Sequence, residues 1–237
     1  MKFLSLIACL TSSLFAQDTL KKELEDQSEA AAKKVPAEVR AQFGQGIEAV
    51  KKSGIEKSAK QVGDQAPDFT LTNAIGQEVT LSEALKDGPV VLTWYRGGWC
   101  PYCNLALAAM QGKLDEIRAE GANLIALTPE LPDKSLTTTE KNKLDFKVLT
   151  DLNHEVAKKY GIVFQLTPEV EKLYKGFFDL TKFNGEKAGN KDLPLSATYI
   201  IGRDGVIKWA FLKADYRQRA EPSDIVDFLK KLKSGKN

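Results

Sequence analysis

The chain is short of the residues that build metal sites and disulfide scaffolds. Its 237 residues include three cysteines, one histidine and two methionines. A structural zinc site takes four ligands, usually Cys and His, and this inventory does not supply a set. A disulfide scaffold would carry more cysteines, spaced farther apart. Strong charge of either sign is also missing. With 34 Lys+Arg against 32 Asp+Glu the net charge is +2, too small to point to a nucleic-acid or membrane-surface partner. Two further motifs are absent: a Gly-rich phosphate loop and Cys-x-x-Cys-His. Nucleotide and haem binding therefore find no support. Internal repeats and low-complexity segments are lacking too. What remains is an ordinary globular composition, 43% hydrophobic and 28% charged, in a chain long enough for one sizeable domain plus extras.

The first residues, MKFLSLIACLTSSLFAQ, read as an export signal. Lys2 gives a minimal positive start, the stretch Phe3 to Ala16 is mostly apolar, and Ala16 is the expected cleavage point, although Leu14 stands where a small residue is preferred. The stretch is too short to span a bilayer comfortably. Leu6-Ile7-Ala8-Cys9 has the order of a lipid-attachment site, but the apolar run before Cys9 is very short for one. The expectation is an exported protein, periplasmic or extracellular, with no membrane attachment after removal of residues 1–16. Lys2 leaves with the signal, so the mature chain has 33 basic against 32 acidic side chains. Cys100 and Cys103 are then its two cysteines.

Residues 17–61 are rich in Lys, Glu and Ala and predict a helical extension. Its second helix starts at Pro36, a favoured first helical residue, and carries Val39, Phe43, Ile47 and Val50 on one face. The simplest role for it is an amphipathic arm packed on the main domain. The domain proper spans 62–237. Phe69 to Thr80 reads as a hairpin, Pro89 to Tyr95 and Asn123 to Leu127 as buried strands, and Phe146 to Leu149 as a short one. Leu107, Met110, Leu114 and Ile117 define one core-facing helix stopped by Gly121. A helix over Asn153 to Tyr160 closes at Gly161, and the lone His154 at its start reads as a surface residue. Arg203-Asp204-Gly205 is a hairpin turn, and Pro222 to Leu232 a last helix. An insertion at about 164–194 holds a helix from Thr167-Pro168-Glu169 with the stripe Val170, Leu173, Tyr174, Phe177, either shielding a site or packing as a satellite of the core. Strands alternating with helices indicate an α/β fold with a mixed sheet.

The segment WYRGGWCPYCN, Trp94 to Asn104, carries the chemistry. Closing a four-residue loop stabilises little, so a structural disulfide is a weak reading of Cys100 and Cys103. Redox chemistry suits the context. A strand ends at Trp94-Tyr95, Gly97-Gly98 permit a sharp turn, and Pro101 suits a first helical turn. Cys100 is thereby placed where backbone N–H groups and the helix dipole favour a thiolate, with Arg96 as a further positive charge. Cys103, one turn on, faces the core stripe. The expected geometry is an exposed nucleophile and a sheltered resolving partner, with Trp94 and Trp99 flanking the pair as optical reporters.

YRGGWCPYCN resembles the active-site segment of peroxiredoxin-like proteins of the alkyl hydroperoxide reductase and thiol-specific antioxidant group. The resemblance continues through VGDQAPDFTL, VLTDLNHEVAKKYGI and LPLSATYIIGRDGVI, from about Val62 to Leu232. It implies a thioredoxin fold and peroxide reduction by a cysteine thiolate, with Cys100 peroxidatic, Cys103 resolving, and thioredoxin or a similar dithiol as reductant. Export would require that reductant to be an exported thioredoxin-like protein. No cofactor or metal is implied. The family pattern Pro-x-x-x-Thr-x-x-Cys is broken, with Thr93 and Gly97 in place of the proline and threonine, and Ser196 stands where the family's peroxide-binding arginine opens a late strand. Arg96 is the candidate replacement. Cys-Pro-Tyr-Cys itself is glutaredoxin-like. Two other readings stay open: a thiol–disulfide oxidoreductase acting on protein cysteines, and a non-enzymatic binding module. The sequence does not fix the oligomeric state, and a homodimer is one arrangement it allows.

Overall fold

The structure is a computed structural model that describes residues 19–177, 179–187 and 191–235. The export-signal reading of residues 1–16, Cys9 included, lies outside the described residues. The chain opens with α1 (Thr19–Lys34), α2 (Ala37–Lys52) and the single turn α3 (Ile55–Ser58). A two-stranded antiparallel hairpin follows, β1 (Thr70–Thr72) with β2 (Glu78–Thr80), and then α4 (Leu81–Asp87). Next come β3 (Val90–Trp94), α5 (Pro101–Gly112), α6 (Leu114–Ala119), β4 (Asn123–Thr128), α7 (Pro132–Lys141) and β5 (Lys147–Thr150). After a 3-10 turn, α8 (Glu155–Lys159) leads to β6 (Val163–Gln165), α9 (Pro168–Phe177), α10 (Thr181–Asn184) and β7 (Asp192–Pro194). The chain closes with β8 (Thr198–Ile201), β9 (Ile207–Phe211) and α11 (Pro222–Lys233).

The central sheet has the order β5-β4-β3-β8-β9. β3, β4 and β5 run parallel, and β8 and β9 are antiparallel to their neighbours. β3 lies in the middle, and every residue from Val90 to Trp94 is buried. Side chains alternate faces along a strand. Val90, Leu92 and Trp94 enter one core, where the Trp94 ring meets Tyr160 at 4.8 Å and Tyr199 at 6.0 Å. Val91 and Tyr95 enter the opposite core with Cys100, Cys103, Leu107, Met110 and Ile225. The cysteine pair therefore belongs to one face of the sheet and Trp94 to the other. Trp94 does not flank the pair; Trp99 does.

The N-terminal helices are packed on the domain. Leu20 and Leu24 of α1 are buried in the cysteine-side core, and Ser28 Oγ lies 3.3 Å from the Tyr102 hydroxyl of α5. α2 lies against α9, with the Phe43 and Tyr174 rings edge to face at 5.8 Å. In the insertion, β6 and β7 pair antiparallel around α9 and α10. Their three-residue length and Pro194 hid them from a strand reading. In the α9 stripe Val170 and Tyr174 are buried, while Phe177 is exposed.

Three local expectations change. The single helix after the cysteines is two, because Lys113 leaves helical geometry (φ −109°, ψ 6°) directly after Gly112, a poor helix former. The helix expected from Asn153 begins at Glu155, because Asn153 and His154 are left-handed (φ 57° and 60°). His154 is buried, not superficial. Burial holds its imidazole down to about 4, against the pull of nearby Asp192, so it is neutral at pH 7.

Candidate active site

Cys100 is the N-cap residue of α5, with extended backbone (φ −91°, ψ 113°) and Pro101 in the first helical turn. Its carbonyl accepts from the N–H groups of Cys103 and Asn104 at 3.0 and 3.1 Å, so the helix begins on it. The entry loop is tightly fitted. Gly97 has φ 151°, a region open to glycine, and a Cβ there would strike the Trp99 indole. A Cβ on Gly98 would strike the Thr138 hydroxyl. The Gly98 N–H donates to Glu130 Oε1 at 2.9 Å, and the Gly98 carbonyl accepts from Asn104 Nδ2 at 2.8 Å. The peptide groups on both sides of Gly98 are thus clamped to fixed elements.

Arg96 is 3% exposed, and its Nη2 lies 3.1 Å from Cys100 Sγ. Nη1 donates to the Tyr174 hydroxyl at 2.9 Å. The guanidinium sits over the Tyr216 ring at 3.9 Å and the Trp99 ring at 5.1 Å, and Trp99 meets Tyr174 edge to face at 5.6 Å. Cation–π contact of this kind favours the charged form by about 0.5–2 kcal/mol per ring. Among the described residues Arg96 Nε has no acceptor. An apolar cavity borders the same guanidinium, lined by Phe43, Ile47, Val50, Phe164, Val170 and Tyr174. Tyr174 comes from the insertion and Tyr216 from the segment after β9, so the cage joins three distant parts of the chain.

The structure brings Arg96, Cys100 and Cys103 together. Both cysteines are free thiols. Cys100 is 1% exposed and Cys103 fully buried, so the nucleophile is not exposed as expected, because it lies beneath Arg96 and the aromatic cage. The two sulfurs ionise as a pair. Burial pushes Cys100 well up, its contact with Cys103 adds to this, and Arg96 opposes both. Burial also works against ionisation of Cys103, but the contact with Cys100 and the charges of Arg219 and Arg96 outweigh it and hold that thiol well down. The pair thus gives up one proton readily and keeps the second, and a guanidinium faces each sulfur.

Sequence reasoning missed three contributors. Arg219, in the segment between β9 and α11, places Nη2 3.3 Å from Cys103 Sγ. Tyr174 read as apolar stripe alone. Glu130, after β4, is 1% exposed, and burial raises its carboxyl to about 7. Ser196, at the family's arginine position, is buried, and among the described residues its Oγ has no hydrogen-bond partner. Thr93 is tied to Thr198, hydroxyl to hydroxyl, at 2.8 Å. Among the described residues no group of three or more His, Cys, Asp or Glu side chains could hold a metal ion. Among them, too, no helix is long and apolar enough to cross a membrane.

The sequence profile of the AhpC/TSA family matches residues 62–210. The chain belongs to the AhpC/TSA family. Peroxiredoxin Bcp of Escherichia coli (strain K12) is 26% identical over 102 residues, covering 43% of this chain and 65% of that protein. The match thus spans just under two thirds of that relative's length. Among solved structures, peroxidoxin BcpB from Mycobacterium tuberculosis superposes with a TM-score of 0.57 at 20% identity, covering 73% of this chain and 97% of that one. Mycobacterium tuberculosis AhpC gives 0.56 at 15% identity, covering 75% and 95%. These likenesses establish the thioredoxin-type fold of the peroxiredoxins for this family member.

Proposed function

We propose that the chain is a thiol peroxidase that reduces hydrogen peroxide or organic hydroperoxides through a dithiol–disulfide cycle of Cys100 and Cys103. The observation that carries the reading is the Arg96 guanidinium, 3.1 Å from Cys100 Sγ at the start of α5. A thiolate attacking a peroxide pushes negative charge onto the departing oxygen. Catalysis requires donors that bind this charge more strongly in the transition state than in the ground state. Arg96 retains an unpartnered Nε, and the first N–H groups of α5 lie alongside. Thiolate character alone would not suffice, because nucleophilicity falls as thiol pKa falls. Since Cys100 is buried, the covering side chains must shift to admit substrate.

Cys100 thiolate attacks one peroxide oxygen, the O–O bond breaks, and a sulfenic acid and an alkoxide or hydroxide result. Cys103 then displaces hydroxide from the sulfenic sulfur and forms the disulfide. An external dithiol, thioredoxin or a similar protein, returns two electrons. Residues 1–16 would direct export, so this reductant would be an exported thioredoxin-like protein. The role of Arg96 in place of the family arginine belongs to the same proposal.

A second reading is favoured by Ser196 at the arginine position and by guanidinium groups on both sulfurs, which suit thiolate leaving groups. It is a thiol–disulfide oxidoreductase. Stopped-flow fluorescence of Trp99, in the reduced protein mixed with hydrogen peroxide or with an oxidised dithiol protein, decides between them. The peroxidase should react on the order of a hundredfold or more faster than an unassisted thiol. A rate no better than a free thiol, alongside rapid exchange with the protein disulfide, would establish the oxidoreductase instead.

A further inference from the structure

Arg219 touches the second reacting atom of the pair. Its Nη2 lies 3.3 Å from Cys103 Sγ. Nη1 donates to the carbonyls of Tyr216 and, at 3.0 Å, Gln218, which fix the guanidinium plane. Nearby Arg217 is paired with Asp215 at 2.7 Å. Arg219 instead turns its Nη2 edge to the sulfur. The side chain is half-buried and lines a groove with Leu24, Ser28, Phe211 and Glu221, so one side is hydrated while the other meets Cys103.

We propose that Arg219 is a catalytic residue that holds the Cys103 sulfur as the thiolate which closes the disulfide. The proposal rests on the redox reading of the dithiol. It assigns one guanidinium to each half-reaction. In the first, the one proton of the singly ionised pair passes from Cys100 to Cys103 across their contact, Cys100 thiolate takes a peroxide oxygen, the O–O bond breaks, and the departing alkoxide accepts that proton from Cys103 and leaves as an alcohol. The charge now resides on Cys103, beside Arg219. In the second, this thiolate attacks Cys100 Sγ, the S–O bond breaks, and hydroxide leaves and is protonated by solvent to water. The dithiol loses two electrons and the peroxide gains them. On reduction, an external thiolate attacks Cys100 Sγ and expels Cys103, and Arg219 stabilises the leaving group. The depressed Cys103 ionisation agrees with this, with Arg219 among its causes.

Arg219→Ala and Arg219→Lys, mixed with peroxide and quenched into a sulfenic-acid probe, separate the two steps. In Arg219→Ala, disulfide closure at neutral pH should slow on the order of tenfold or more, the worth of one hydrogen bond to a charged group, and recover as pH rises. Sulfenic-acid formation should slow far less, and Arg219→Lys should lie between. Equal closure rates and pH profiles in the variants and the parent would overturn the proposal. A readout independent of peroxidase activity is the thiolate ultraviolet absorbance of Cys103 alone, in Cys100→Ser with and without Arg219→Ala. Removing Arg219 should move that titration to higher pH, and an unchanged curve would overturn the proposal. If the parent dithiol does not react with peroxide, the peroxidase reading fails, and the titration still decides Arg219.

Discussion

The two sulfurs stand one helical turn apart, and their surroundings differ in kind. Cys100 is served by an arginine four residues away, wholly enclosed and fixed by Tyr174, Trp99 and Tyr216. Cys103 is served by an arginine 116 residues away, half hydrated and fixed by two backbone carbonyls. A charge in an enclosed site is screened little, whereas one beside water is screened strongly. Peroxide cleavage demands that charge be stabilised at a fixed point, which suits the enclosed arginine. Disulfide closure and reopening demand a sulfur that gains and loses charge twice per cycle, which suits the hydrated one.

The harshest test removes each sulfur in turn. Cys100→Ser is expected to abolish turnover. Cys103→Ser is expected to react once and stall as a sulfenic acid that a probe can trap. Trapping in Cys100→Ser and none in Cys103→Ser would reverse the roles. Next in size is Arg96→Ala, expected to slow peroxide reaction by about a hundredfold, the value of one transition-state donor. Arg96→Lys should recover little, because a lysine cannot hold Tyr174 and Cys100 with one planar fork. A loss confined to disulfide closure would mean that the enclosed arginine serves the second sulfur.

The Cys100 side of this comparison was legible in the sequence and the Cys103 side was not. A strand, two glycines and Cys-Pro-Tyr-Cys occupy consecutive positions, so local rules place Arg96 beside Cys100. Nothing local links Arg219 to Cys103. It stands in Tyr216 to Ala220 beside Arg217, and the turn after β9 decides which of the two faces inward. The mixed sheet was legible from strand and helix alternation. The break at Lys113 was not, because the apolar spacing of Leu107 to Ile117 continues across it. His154 was misread because a lone polar residue at a helix start is normally hydrated; here a left-handed backbone turns it into the interior.

Tyr174 tests whether enclosure matters or charge alone suffices. As a positioning residue it acts through Arg96, accepting the Nη1 donor at 2.9 Å. Tyr174→Phe keeps the ring against Phe43 and Trp99 and removes only the acceptor. The peroxide rate is expected to fall on the order of tenfold, with the first ionisation of the dithiol displaced, while fold stability changes by about 1 kcal/mol or less. An unchanged rate and titration would reduce the insertion to a cover.

The smallest effect concerns the clamp beneath the enclosed side. Glu130 receives the Gly98 N–H at 2.9 Å and the Thr138 hydroxyl at 3.3 Å, and burial raises its carboxyl from 4.5 to about 7. A carboxyl whose folded pKa lies above its unfolded value favours folding when protonated. That contribution is complete below pH 4.5 and is lost as pH rises through 7. The displacement corresponds to roughly 3 kcal/mol at high pH. Glu130→Gln removes the buried charge, whose displacement already includes the bond from Gly98, but its amide NH2 can meet the Thr138 hydroxyl that donates to the carboxylate, a mismatch worth about 1–3 kcal/mol. The net gain for the variant is therefore expected to be on the order of 1 kcal/mol above pH 7, and should vanish or reverse below 4.5. Urea unfolding of parent and Glu130→Gln across that range measures it. A variant less stable than the parent at pH 8 would mean that the carboxylate's bond to Gly98 outweighs its burial. The entry loop to Cys100 would then be held by charge rather than by fit.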